Sequence, residues 1–310
     1  MYAAAFSPRG GVAPKTIRLR GQGLIEYVLI AAVIGLVVAF AAPQVSGAIR
    51  NQFNQVSATL DSGTGGSVGE DVSGGGSTGV GSATVQTAVA KEAKDWTLSE
   101  QKVVAEDIAA KGEASPVYAK AKAAMDAGMT WSVKLTNGET MTYRIIGINH
   151  DDLADGTGKA GLTFEATNRA LGEQCIDSDD RADGTSWGCS ELRQRLNSGD
   201  LWSLLPSDMA GLTRTVAKLD YYPFGNEVMD VNVFILSENE IYGGAAQYEY
   251  YSGKSVSRSN YANASLGYDR WTRTPKPNNG SYHSRILSNG SSGNYQHDTT
   301  ECYVCPAWCF

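Results

Sequence analysis

Histidine is nearly missing from this sequence. His150, His283 and His297 are the only three in 310 residues, and they stand far apart. No serine–histidine–acid order surrounds them and no glycine-rich phosphate loop occurs, so nothing in the sequence points positively to catalysis. Cysteine is absent before Cys175; the five present are Cys175, Cys189, Cys302, Cys305 and Cys309. Acid is absent before Glu26, where Arg9, Lys15, Arg18 and Arg20 stand unopposed. Basic residues are also scarce overall, 26 against 33 acids, for a formal charge of −7. Losing those first four leaves 22 cations against 33 acids, or −11. Such a chain is repelled by nucleic-acid backbones, and no nucleic acid is expected among its partners.

What is present is a chain long enough for two domains, 42% apolar and 19% charged, which fits a globular protein with a membrane segment attached. Leu24 to Ala42 is an apolar run of 19 residues, roughly 28 Å as a helix and enough to span a bilayer core. Glu26 sits near its start, although an acid at a membrane-helix centre costs ~2.5–3.5 kcal/mol. The cations before the run and their absence just after it place the leader in the cytoplasm.

The residues G-Q-G-L-I-E-Y, Gly21 to Tyr27, resemble the prepilin processing site of Flp-type class IVb pilins, which are exported by tight-adherence (Tad) machinery. The resemblance implies cleavage between Gly21 and Gln22, with Glu26 and Tyr27 fifth and sixth in the mature chain. It also implies N-terminal methylation, a prepilin peptidase, the Tad machinery and other pilin subunits as partners. Glu26 would then be an assembly device, because a buried carboxylate selects the register in which a neighbour's α-amino group pairs with it.

Ser46 to Leu60 continues with Ile49, Phe53, Val56 and Leu60 at helical spacing. Asp61 to Ser82 is a glycine–serine linker with an r.m.s. reach of ~25 Å. Helices are expected at about Thr84–Asp95, Ser99–Lys111 and Pro116–Ala127, the second capped by the run Thr97 to Glu100. From Trp131 the pattern turns to strands, with Asn137-Gly138 as a hairpin turn. A helix is expected within Cys189 to Pro206 and a buried strand at Val231 to Ser237; after Tyr242 little periodicity remains.

In order, C-S-E-L-R-Q-R-L-N, V-F-I-L-S-E-N-E-I-Y-G, Q-Y-E-Y-Y, R-W-T-R-T-P and V-C-P-A-W-C-F resemble a bacterial family of domains with a C-type-lectin-like or formylglycine-generating-enzyme-like fold. That resemblance covers Trp131 to Phe310. It implies a compact α+β domain with long loops on a rigid frame.

The candidate sites are few. The loop Asp177 to Gly184 could offer Asp177, Asp179 and Asp183 to calcium, but it lacks a closing glutamate and reads as a solvated acidic loop. Cys302, Cys305 and Cys309 have no matching second pair, so no metal and no cofactor are expected. In an exported chain the five cysteines are disulfide candidates of unreadable connectivity. Fold relatives that bind copper through paired cysteines make Cys305 and Cys309 the basis of a less favoured oxidoreductase reading. The stretch Ser255 to Thr300 interleaves tyrosine with small polar residues, the chemistry of adaptable binding loops. It puts forward Tyr261, Tyr268, Tyr282, Asn294, Tyr295 and His297 as contacts to an unknown extracellular ligand, with Trp271 as frame.

Together these readings predict an α+β protein: leader 1–21, pilin transmembrane and assembly helix 22–60, linker 61–83, short helices 84–128 and lectin-like head 129–310. The expected function is a non-enzymatic Tad pilin subunit displaying an adhesive head, held in the cytoplasmic membrane before assembly and at the cell surface afterwards. A secretion-apparatus pseudopilin is the alternative.

Overall fold

The computed structural model describes residues 84–179, 186–222 and 225–310. The chain enters through three helices, α1 (Val85–Ala90), α2 (Leu98–Lys111) and α3 (Tyr118–Ala127). The cap ahead of α2 forms as the sequence requires: Thr97 Oγ1 accepts from the Glu100 amide, and Glu100 Oε2 accepts from the Thr97 amide at 2.9 Å. Val104, Ala105 and Ile108 on α2 are fully buried, and so are Val117 and Ala121 at and within α3. The thin apolar faces of these helices therefore serve as packing surfaces.

Two five-stranded sheets form the body. The first is ordered β1 (Thr130–Lys134), β2 (Thr140–Ile148), β3 (Leu162–Ala166), β12 (Ala307–Cys309) and β7 (Val233–Phe234). The β1–β2 hairpin turns where expected, with Gly138 at φ 91°, a left-handed conformation that a Cβ would strain. Strand β12 lies inside this sheet, between β3 and the edge strand β7, and is antiparallel to both. Trp308 stacks on Phe164 at 5.8 Å, and Tyr143 meets both rings edge-on. Trp308 and Phe310 are buried, so the β12 segment is built into the core.

The second sheet is ordered β10 (Gln296–His297), β9 (Asn279–Ile286), β8 (Arg270–Lys276), β11 (Cys302–Tyr303) and β4 (Glu173–Gln174). Its central β8–β9 hairpin falls where the sequence showed little periodicity. The reason lies in its side chains: Arg270, Thr272, Arg273, His283 and Ser284 are all buried, so polar residues occupy positions where a hydrophobic alternation would have marked the strands. A separate ribbon pairs β5 (Val216–Tyr222) with β6 (Gly225–Val231). Short helices α4 (Glu191–Ser198), α5 (Ser207–Leu212), α6 (Glu238–Tyr242) and α7 (Glu249–Gly253) fill the connections.

The described residues thus form a mixed α+β domain. The expected long transmembrane helix needs correction. Among the described residues no helix is long and apolar enough to cross a membrane. Gly21, Gln22, Glu26 and Tyr27, the helix assigned to 22–60 and the linker at 61–83 lie outside the described residues.

All five cysteines are free thiols, which corrects the disulfide expectation. Cys302, Cys305 and Cys309 are buried and Cys189 is exposed. Cys305 Sγ meets the Tyr268 hydroxyl, whereas Cys309 Sγ meets Thr163 and Asp151. Those separate surroundings do not make a paired copper site.

Candidate functional site

A pocket of about 450 Å³ opens between the loop that follows β2, the β5 strand and the start of α7. Its floor is a buried network of four charges. Lys218 Nζ on β5 lies 2.6 Å from Asp151 Oδ1 and 2.6 Å from Glu240 Oε1. Arg273 on β8 grips Glu240 through two contacts of 2.5 and 2.7 Å. The Tyr248 hydroxyl bonds Asp151, and Thr163 Oγ1 donates to Asp151 Oδ2 at 2.6 Å. Each of the four charged side chains is under 6% exposed, so they persist only because each charge meets an opposite one.

Local sequence builds this floor. Glu240 is the third residue of α6, and its carboxylate also accepts from the Ser237 amide in a capping box. It thereby ties the helix start to the ion network. Burial works against the charged forms of Asp151 and Glu240, but Lys218 outweighs it for Asp151, and Arg273 with Lys218 outweighs it for Glu240. Both carboxyls are held below the usual range. Burial likewise disfavours the Lys218 ammonium, yet Asp151 and Glu240 raise its pKa, so it stays protonated. A lysine held in that form is not a nucleophile.

The mouth differs from the floor. His150 Nδ1 is 3.1 Å from Glu249 Oε1, and the His150 ring lies against Tyr248 with centroids 4.2 Å apart. Burial lowers the pKa of His150, but the Glu249 hydrogen bond and the Asp151 charge raise it above its ordinary value. Glu249 Oε2 and Asn149 Oδ1 are occluded atoms without a hydrogen-bond partner, although the Glu249 side chain as a whole is 44% exposed. The Asn149 amide is oriented by its own donor, since Nδ2 gives its proton to the Ile108 carbonyl at 3.2 Å. Asn149 also has φ 51°, a conformation asparagine tolerates better than most residues. Beside it the β2–β3 register shifts between Ile145 and Gly147. A Cβ on Gly147 would come within 3.0 Å of His150 Cβ and 2.8 Å of the Tyr248 ring. A bulge and a glycine thus let His150 and Tyr248 pack closely at the mouth.

No family model, no curated protein and no solved structure matches this chain. The resemblances to a Flp/Tad prepilin and to a lectin-like domain are therefore corrected. So are the pilin and pseudopilin functions, the adhesive head and the copper oxidoreductase reading. The membrane stage, the surface localisation, the peptidase, the Tad machinery and the filament partners rested on the membrane helix and on those resemblances, and they fall with them.

The tyrosine-rich stretch is distributed differently from its composition. Tyr268 is buried at 6% exposure, with its hydroxyl 3.3 Å from Cys305 Sγ, so it is no exposed contact. Tyr261, Tyr282, Tyr295 and His297 are half-buried and Asn294 is exposed. Tyr282 and His297 do meet, paired across β9 and β10 with rings 4.9 Å apart. Trp271 is buried, as a frame residue should be. Among the described residues no group of His, Cys, Asp and Glu is arranged to hold a metal ion. Asp177 receives the Glu191 amide at 2.9 Å, and Asp183 lies outside the described residues.

Sequence reasoning missed the pocket because its residues come from separate elements, each with an ordinary local explanation. One signal was available: the Asn149 to Asp152 run breaks the apolar β2 pattern with four consecutive polar residues.

Proposed function

We propose that the domain is a binding module, not an enzyme, and that its pocket takes a small solute bearing a primary amine. The observation that carries this reading is the pair of orphaned acceptors at the mouth, Asn149 Oδ1 and Glu249 Oε2. Buried acceptors without partners are costly, and a ligand that supplies N–H donors removes the cost. An ammonium offers three donors on a compact charge. The lining charge agrees: Asp151, Asp152, Glu240 and Glu249 face Lys159, Lys218 and Arg273, which favours a cation whenever His150 is neutral. The locked floor supports binding over catalysis, since its groups are committed to one another.

Titration calorimetry of the full chain with methylamine, ethanolamine and lysine amide tests this. At least one amine should bind, and Glu249→Gln should weaken it by tenfold or more. The matched alcohols should bind far less. If none of the amines gives heat or raises the melting temperature, the reading fails; it fails equally if Glu249→Gln binds as tightly as wild type.

A further inference from the structure

A second buried charge cluster lies away from this pocket, and its charges do not balance. Arg144 on β2 and Arg270 on β8 share one carboxylate, Glu165 on β3. Glu165 is already committed. Its Oε2 accepts from Arg144 Nη2 at 2.9 Å, and the Tyr251 hydroxyl reaches both of its oxygens at 2.7 and 2.9 Å. Arg270 Nη2 stands 3.8 Å from Glu165 Oε1, too far for a hydrogen bond. Both terminal nitrogens of Arg270 are buried with no acceptor, and its side chain is only 2% exposed. Two guanidinium charges against one carboxylate leave a surplus of one positive charge inside the protein. Arg169 adds to it from outside, lying 4.8 and 4.7 Å over the rings of Tyr268 and Tyr303.

We propose that Arg270 holds a small monovalent anion of the halide class in the core, beside Glu165 and Cys305. Water at this place would satisfy the N–H groups but not the charge, and an uncompensated buried charge is strongly disfavoured. A halide does both, and it loses its hydration more readily than a multiply charged oxyanion. The protein's own candidate for the missing negative charge is the Cys305 thiolate. Burial pushes that thiol up to about 11 even though Arg270 acts in the opposite sense, so it is neutral at physiological pH. Arg270 is held in place for this task by β-pairing on both sides: it opposes Ile286 of β9 and bridges Tyr303 of β11.

The test is thermal unfolding of the full chain in chloride, bromide and fluoride salts at constant ionic strength. Chloride and bromide should raise the melting temperature and saturate at millimolar concentration, as a site does and a general salt effect does not. Arg270→Met should abolish the dependence. Should that variant fail to fold, crystals of the unaltered chain grown in bromide should show an anomalous peak within hydrogen-bond distance of Arg270. Identical melting curves in all three salts, or bromide only at surface lysines, would overturn the proposal. Halide dependence that appears only in Cys305→Ala would overturn it as well, because the thiolate would then be the native counter-charge.

Discussion

Gly161, just ahead of β3, lies so close to Ala105 of α2 that a Cβ on it would stand 1.8 Å from the Ala105 carbonyl oxygen. Backbone meets backbone here, so no side chain can yield. The contact presses the helical layer against the first sheet, and it precedes Leu162 and Phe164, both fully buried. Gly161→Ala should therefore destabilise the domain by about 1–3 kcal/mol through overpacking. Chemical denaturation checks this, and an unchanged midpoint would mean that α2 sits further from β3 than described.

Lys218→Met should cost about 3–5 kcal/mol, because it leaves Asp151 and Glu240 buried with less compensation. The sign of its pH dependence follows from the carboxyls. Both have lowered pKa values in the folded protein, so their stabilisation is present above the unfolded carboxylate range and lost as pH falls through the folded values. In Lys218→Met that benefit shrinks. The gap between variant and parent should be widest near neutral pH and narrow below about pH 4. Denaturant midpoints across pH measure it, and a gap that stays constant argues against the ion network.

The two halves of the domain differed in how far sequence revealed them. Thr97 with Glu100, and Asn137 with Gly138, carry local rules that tertiary packing does not override, and both formed as expected. The β8–β9 hairpin obeys no such rule, because Arg273 and His283 point inward toward partners distant in sequence and Arg270 is buried beside them. The pocket was hidden for the same reason. Asp151, Lys218, Glu240 and Arg273 acquire meaning only once four elements meet. Composition likewise misled at Tyr268, where a tyrosine that suits a binding loop is instead a buried neighbour of Cys305.

The five thiols should react in an order set by burial. Cys189 is exposed and should label within minutes in the native protein, with Cys175 slower. Cys305 and Cys309 are buried, and burial raises both thiol pKa values, Cys305 to about 11, so they should label only on unfolding. Mass spectrometry after timed alkylation reads this directly. A total below five thiols after unfolding without reductant would reveal a disulfide and overturn the free-thiol description.

Amine binding and intrinsic stability should respond to pH with opposite signs, through one group. His150 is raised above its ordinary pKa, with Glu249 as hydrogen-bond partner. A group raised on folding contributes stability that is fully present below its unfolded pKa and is lost as pH rises through the folded value. The unliganded protein should therefore lose a little stability across that window. Binding should strengthen across the same window. Protonated His150 neutralises Glu249 from its Oε1 side and adds a positive charge at the mouth, and neutral His150 leaves the carboxylate's full charge to an ammonium at Oε2. If one proton leaves as the amine binds, affinity should rise about tenfold per pH unit below the His150 pKa and then level off. His150→Gln should flatten both curves while leaving the buried floor intact, since Lys218, Asp151, Glu240 and Arg273 do not rely on it for their ion pairs. Calorimetry with ethanolamine at a series of pH values, paired with melting curves, separates the two effects. Affinity that falls as pH rises would place the amine away from Glu249.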